Sequence, residues 1–132
     1  MTAWLDTNIL VRHLTGDPPF MARRVTRFLT DAAPGELLLT DLVVAEVVYV
    51  LESVYELDRP VVAEAARAIV TFPAIAVTDS NLLLRAVEVY EHDRLDFAES
   101  YLVACAERSG VNAVASFDKS IRRVTSISLV QP

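Results

Sequence analysis

The sequence predicts an α/β fold: a three-layer α/β/α arrangement with a mainly parallel central sheet of about five strands. Three observations predict it. Short apolar runs alternate with longer stretches of helical periodicity along the whole chain. Proline, glycine and helix-capping residues stand at the joints between them. The chain has 132 residues, 53% hydrophobic and 23% charged. That is enough to bury one core and short for two, so residues 1–132 are read as a single domain.

Each element follows in order. Thr2 to Leu5 is a short strand ending at Asp6. Asn8 to Leu14 is helical, and Gly16-Asp17-Pro18-Pro19 breaks it. Phe20, Met21, Val25, Phe28 and Leu29 give the next helix an apolar face, with Arg23, Arg24 and Arg27 on the other. Pro34-Gly35 is a turn, Glu36 to Thr40 a strand, and Asp41 an N-cap for a helix over Leu42 to Tyr55 that is apolar nearly all round. Asp58-Arg59-Pro60 opens another helix, striped by Val61, Val62, Ala65, Ala66, Ile69 and Val70. Ile75 to Val77 is a strand, and Asp79 or Ser80 caps a helix to about His92. A helix from about Asp96 ends at Gly110. Ala113 to Ser116 and Ile127 to Val130 are the last strands. The order is β-αα-β-αα-β-αα-β-α-β. Right-handed crossovers put helices on both sheet faces, and the ligand crevice beyond the carboxyl ends of the strands. Asp6 and Asp118 fall at such ends.

Composition excludes several classes. No apolar run reaches the ~18 residues of a membrane span. No basic segment and cleavage site mark a secretion signal, and one cysteine, Cys105, gives no disulfide framework. A cytoplasmic setting is expected. Two histidines and one cysteine cannot build a Cys/His zinc site. The net charge of −6 argues against coating nucleic acid by charge alone, unless bound divalent cations neutralise some acids.

The acids carry the chemistry. Glu46 sits inside the most apolar helix, where an unpaired carboxylate costs several kcal/mol or takes up a proton. Its bland alternative is a narrow solvent stripe or an arginine partner. Asp96 and Glu99 fit an N-cap with a capping-box acid. Asp6 also fits an ordinary helix-start acid, and Asp118 a turn residue. Four chain segments nevertheless deliver acids to one predicted sheet edge. Clustered carboxylates repel, and a hard dication relieves that; oxygen-only ligands favour Mg²⁺ or Mn²⁺. Arg12, Arg23, Arg24 and Arg27 suit RNA phosphates, or simply a solvated helix face.

Leu5-Asp6-Thr7-Asn8, the acid inside the helix after the second strand, Asp96-Phe97-Ala98-Glu99 running into Tyr101-Leu102-Val103-Ala104, and Ser116-Phe117-Asp118 together resemble PIN-domain nucleases. Over nearly the whole chain, length and motif order look most like the VapC toxins of type II toxin–antitoxin systems. The resemblance implies a Mg²⁺- or Mn²⁺-dependent endoribonuclease in which water activated by bound metal attacks RNA phosphorus, leaving 5′-phosphate and 3′-hydroxyl ends. Asp6, Glu46 and Asp118 match three family acids. The fourth, usually Asp, is Glu99 here, and Asp96, one turn earlier, shares the role. Asn8 and Ser116 match polar positions that support the acids by hydrogen bonds. The resemblance also implies a homodimer and a cognate antitoxin.

Two other classes compete. A phosphoacceptor receiver domain needs an adjacent acid pair after the first strand, which Asp6-Thr7 lacks. A non-catalytic binding module would keep the fold and the acids. A serine–histidine triad has no nucleophile motif near His13 or His92, and His13 is read as a helix-surface residue.

Overall fold

The computed structural model describes residues 1–132. Five strands and six α-helices form in the predicted order: β1 (Ala3–Trp4), α1 (Thr7–Thr15), α2 (Pro19–Asp31), β2 (Leu37–Leu38), α3 (Asp41–Ser53), α4 (Arg59–Val70), β3 (Ile75–Ala76), α5 (Ser80–His92), α6 (Phe97–Ser109), β4 (Ala113–Ala115) and β5 (Ser128–Val130). The helix expected before the last strand is a 3₁₀ helix, Lys119–Arg123, because five residues are too few for a stable α-helix. Contacts divide the chain into two compact units, Met1–Ser80 and Asn81–Pro132.

In the first unit β1, β2 and β3 form a parallel sheet in that order, with Ala3 opposite Leu37 and Leu37 opposite Ile75. The strands are shorter than the apolar runs, but backbone bonds from Leu5 to Leu38 (2.8 Å) and from Leu39 to Ala76 (3.0 Å) prolong the alignment. The helices pack pairwise, α1 on α2 and α3, and α3 on α4. Leu10, Leu29, Val44, Val47, Leu51, Val62 and Ile69 are buried. Gly16 ends α1 at φ 70°, a left-handed conformation that favours glycine.

Two capping and facing details differ from expectation. Thr40, not Asp41, is the N-cap of α3: its backbone is extended and its hydroxyl accepts from Val43 N–H at 3.1 Å. Asp41 is already helical, where its charge suits the helix dipole. On α2 the buried residues are Ala22, Val25 and Leu29, while Phe20, Met21 and Phe28 are exposed. At 100° per residue, Arg24 lies between Phe20 and Phe28 on the outer face, so the two phenylalanines cannot join the core stripe.

The second unit holds α5, α6 and the parallel pair β4–β5, with Val114 opposite Leu129. Its core is two clusters, Val89, Leu95, Val103 and Val124, and Ala106, Val114 and Ile121, with Ile127 against both. A charged clasp joins the helices. Arg85 donates to both carboxylate oxygens of Glu107 at 2.8 and 3.0 Å, and to Glu88 at 2.7 Å. Ser126 also donates to Glu107. This pairing holds Glu107 below the usual carboxylate range.

Candidate active site

The acids singled out in the sequence fall into two groups, one per unit. In the first unit the chain leaves β1 through buried Leu5 and reaches Asp6 with extended backbone (φ −91°, ψ 157°). Asp6 is the N-cap of α1, and its Oδ1 accepts from Thr7 N–H at 2.7 Å. The Thr7 hydroxyl donates to Glu46 Oε2 at 2.9 Å. Thr7 therefore touches both carboxylates and sets their spacing. The sequence pointed instead to Asn8 as a support, yet Asn8 is exposed and makes no hydrogen bond, since one step round the helix turns its side chain to water.

Glu46 itself is exposed. The apolar composition of α3 is misleading. Val44, Val47, Val48 and Leu51 are buried, but Leu42 (73% exposed) and Tyr49 (68%) share the outer face with Glu46. The burial cost expected at Glu46 is absent, and the solvent-stripe alternative describes its surroundings.

The second unit's group is starved of donors. Asp96 is the N-cap of α6, with Oδ1 accepting from Glu99 N–H at 2.7 Å, and buried Ser100 donates to the Asp96 carbonyl at 2.7 Å. Glu99 makes no return bond, so only half of a capping box forms. Asp118 leaves β4 in a turn. Its N–H donates to Ser116 Oγ at 2.9 Å, the support expected of Ser116, and its Oδ1 accepts from Ser120 N–H at 2.9 Å.

Glu99 is half-buried, and its Oε2 is buried without a hydrogen-bond partner. Burial pushes its carboxyl up to about 7, aided by the Asp96 and Asp118 carboxyls within hydrogen-bonding reach. Asp118 moves down, chiefly because the Ser120 hydroxyl and N–H favour its ionised form, and then because of Glu99. The two carboxyls thus move in opposite directions, Glu99 up and Asp118 down.

A hard divalent cation suits this group. The donors are all carboxylate oxygen, and the orphaned Glu99 oxygen lacks the positive partner that buried carboxylates require. No three His, Cys, Asp or Glu side chains of the structure stand together as a finished cation cage.

Of the expected arginines, Arg23, Arg24 and Arg27 are exposed on α2, and Arg12 is half-buried on α1. His13 is not a surface residue: it is half-buried, bonded through Nδ1 to Thr26 Oγ1 (2.8 Å) and edge-on to Phe72. Burial lowers its pKa, so it is a neutral packing group between helices.

In each unit a parallel strand runs out to an acid that caps the next helix, Asp6 after β1 and Asp118 after β4. Residues 3–127 match the PIN domain family, and the chain belongs to that family. PIN domains are typically nucleases, hydrolases of nucleic acid that generally use divalent metals. No curated protein matches the chain. No helix is long and apolar enough to cross a membrane.

Proposed function

We propose that this chain is a Mg²⁺- or Mn²⁺-dependent endoribonuclease, acting in the cytoplasm as the VapC-type toxin of a toxin–antitoxin pair and working as one PIN-like domain. The observation that carries the reading is Glu99: a buried, donorless carboxylate oxygen beside two further acids. A purely structural capping acid would have its bonds made.

The proposed ligands are Asp6 and Glu46 from the first unit, and Asp96, Glu99 and Asp118 from the second. When bound, a divalent ion neutralises charge and makes a water molecule acidic enough to attack a phosphodiester near pH 7. The chain's own part follows from its side chains. Asp118, held low by Ser120, stays ionised and accepts charge. Glu99 holds a proton until a cation replaces it. Thr7 keeps Asp6 and Glu46 at fixed spacing. No side chain acts as nucleophile, and the products carry 5′-phosphate and 3′-hydroxyl ends. The resemblance to VapC toxins also implies a homodimer and a cognate antitoxin, and an arginine-bearing tail of that antitoxin is proposed to neutralise the acids.

The test is cleavage of end-labelled RNA with Mn²⁺. Wild type cuts, while EDTA or Asp118→Asn abolishes cutting with the circular dichroism spectrum unchanged. Cleavage that survives EDTA overturns the proposal. A cognate antitoxin that leaves cleavage untouched at saturation overturns the inhibitory role of the tail.

A further inference from the structure

The outer face of α2 is more than a solvated helix surface. Phe20, Arg23, Arg24, Arg27 and Phe28 share one stripe, opposite the buried Ala22, Val25 and Leu29. Phe20 is 64% exposed and Phe28 48%. The Arg24 guanidinium lies over the Phe20 ring, 5.9 Å from its centre. None of Arg12, Arg23, Arg24 and Arg27 forms an ion pair, although the chain has 18 acids. Residues 7–31, which span α1 and α2, hold these four arginines against two acids, Asp17 and Asp31, in a chain of net charge −6. The stripe is also concave. It lines a groove of about 780 Å³, whose far wall carries Asp31 and Glu36, and Arg24 and Phe28 continue away from those acids into a hollow of about 320 Å³ that reaches Ile9 and Arg12 on α1, the helix Asp6 caps.

We infer that this stripe is a track for single-stranded RNA, whose bases stack on Phe20 and Phe28 and whose phosphates are held by Arg23, Arg24 and Arg27, with Arg12 next along the path. The inference rests on the nuclease reading for the identity of the anion. Every base has a flat face that an exposed phenyl ring can stack, and guanidinium forks match phosphate oxygens. Phe20 and Phe28 stand eight residues apart, about 12 Å along the helix. One extended strand therefore passes both. A duplex, with its bases already stacked on each other, does not. The acidic remainder of the surface repels RNA and leaves this stripe as its landing place.

Binding is read by fluorescence anisotropy on a labelled single-stranded 12-mer RNA in EDTA, which keeps binding apart from cleavage. Wild type binds with a marked salt dependence. Replacing Arg23, Arg24 and Arg27 by Gln weakens binding at least tenfold and flattens the slope of log affinity against log salt by about 2, at about 0.7 for each phosphate no longer neutralised. Phe20→Ala with Phe28→Ala weakens binding about tenfold or more and leaves that slope unchanged. All substituted residues face outward, and circular dichroism checks the fold. Arg24→Glu is the second variant and weakens binding more than Arg24→Gln. Unchanged affinity in these variants overturns the track, as does loss of binding to a glutamate-rich helical peptide alone, which would assign the face to a protein partner. Wild type that binds RNA through the stripe but never cuts it in Mn²⁺ would sink the nuclease reading and spare the track.

Discussion

Asp6 and Glu46 are joined through Thr7, a donor that serves both, whereas Asp96, Glu99 and Asp118 crowd together with one oxygen left unserved. Both groups put carboxylates at the start of a helix or beside one, yet their electrostatics diverge. The first group is pre-placed by hydrogen bonds and tolerates water. In the second, burial first and the neighbouring acids next push the Glu99 carboxyl up to about 7.

The largest effect tests whether both groups serve one reaction. Asp6→Ala and Asp118→Asn should each lower Mn²⁺-dependent RNA cleavage at least about a hundredfold, the upper end of what even an outer-shell change costs a metal site. Full cleavage by Asp6→Ala would leave the second group working alone. Next, Thr7→Val should cost about tenfold in cleavage rate, with Thr7→Ser restoring most of it. A Thr7→Val enzyme as active as wild type would show that the shared donor is incidental.

A smaller effect sharpens the second group. Glu99 titrates at about 7 in the folded chain, above its ordinary value of 4.5. The folded state thus binds more protons than the unfolded between those values. The associated stability is complete below pH 4.5 and fades as pH rises through 7. Glu99→Gln should therefore raise Tm relative to wild type at about pH 8 without metal and leave it nearly unchanged at about pH 4, as read by thermal melts. An equal shift at both pH values would break the proton assignment. Smallest of all, Asp96→Ala removes an N-cap and should cost about 1 kcal/mol in urea unfolding.

The element order was legible because punctuation is local: Gly16 and Gly110 end helices, Pro19 and Pro60 begin them, and each acts within a few residues. The acids were legible as candidates, but their hydrogen bonding was not. Glu46 looked buried because α3 is apolar by composition, and composition does not reveal that Leu42 and Tyr49 face outward. Thr7 was hidden because its partner lies 39 residues away. Asn8 and Thr7 are equally polar in the sequence, and only helix phase separates them. Glu99 is the reverse case. Its capping-box spacing suggested a satisfied residue, and the half-buried position between two carboxyls, set by the fold, makes it the least satisfied acid.

Helix α6 carries two glutamates eight residues apart, about 12 Å along its axis. Glu107 is gripped by Arg85 and Ser126, while Glu99 has one oxygen without a partner and only the Asp96 and Asp118 carboxyls beside it. The rear of the helix is therefore an anchor and its front a spring, and two conditions address them separately. Salt loosens the anchor, while a rise in pH through about 7 acts on the front, so one rod of thirteen residues gives the chain independent handles on endurance and on readiness.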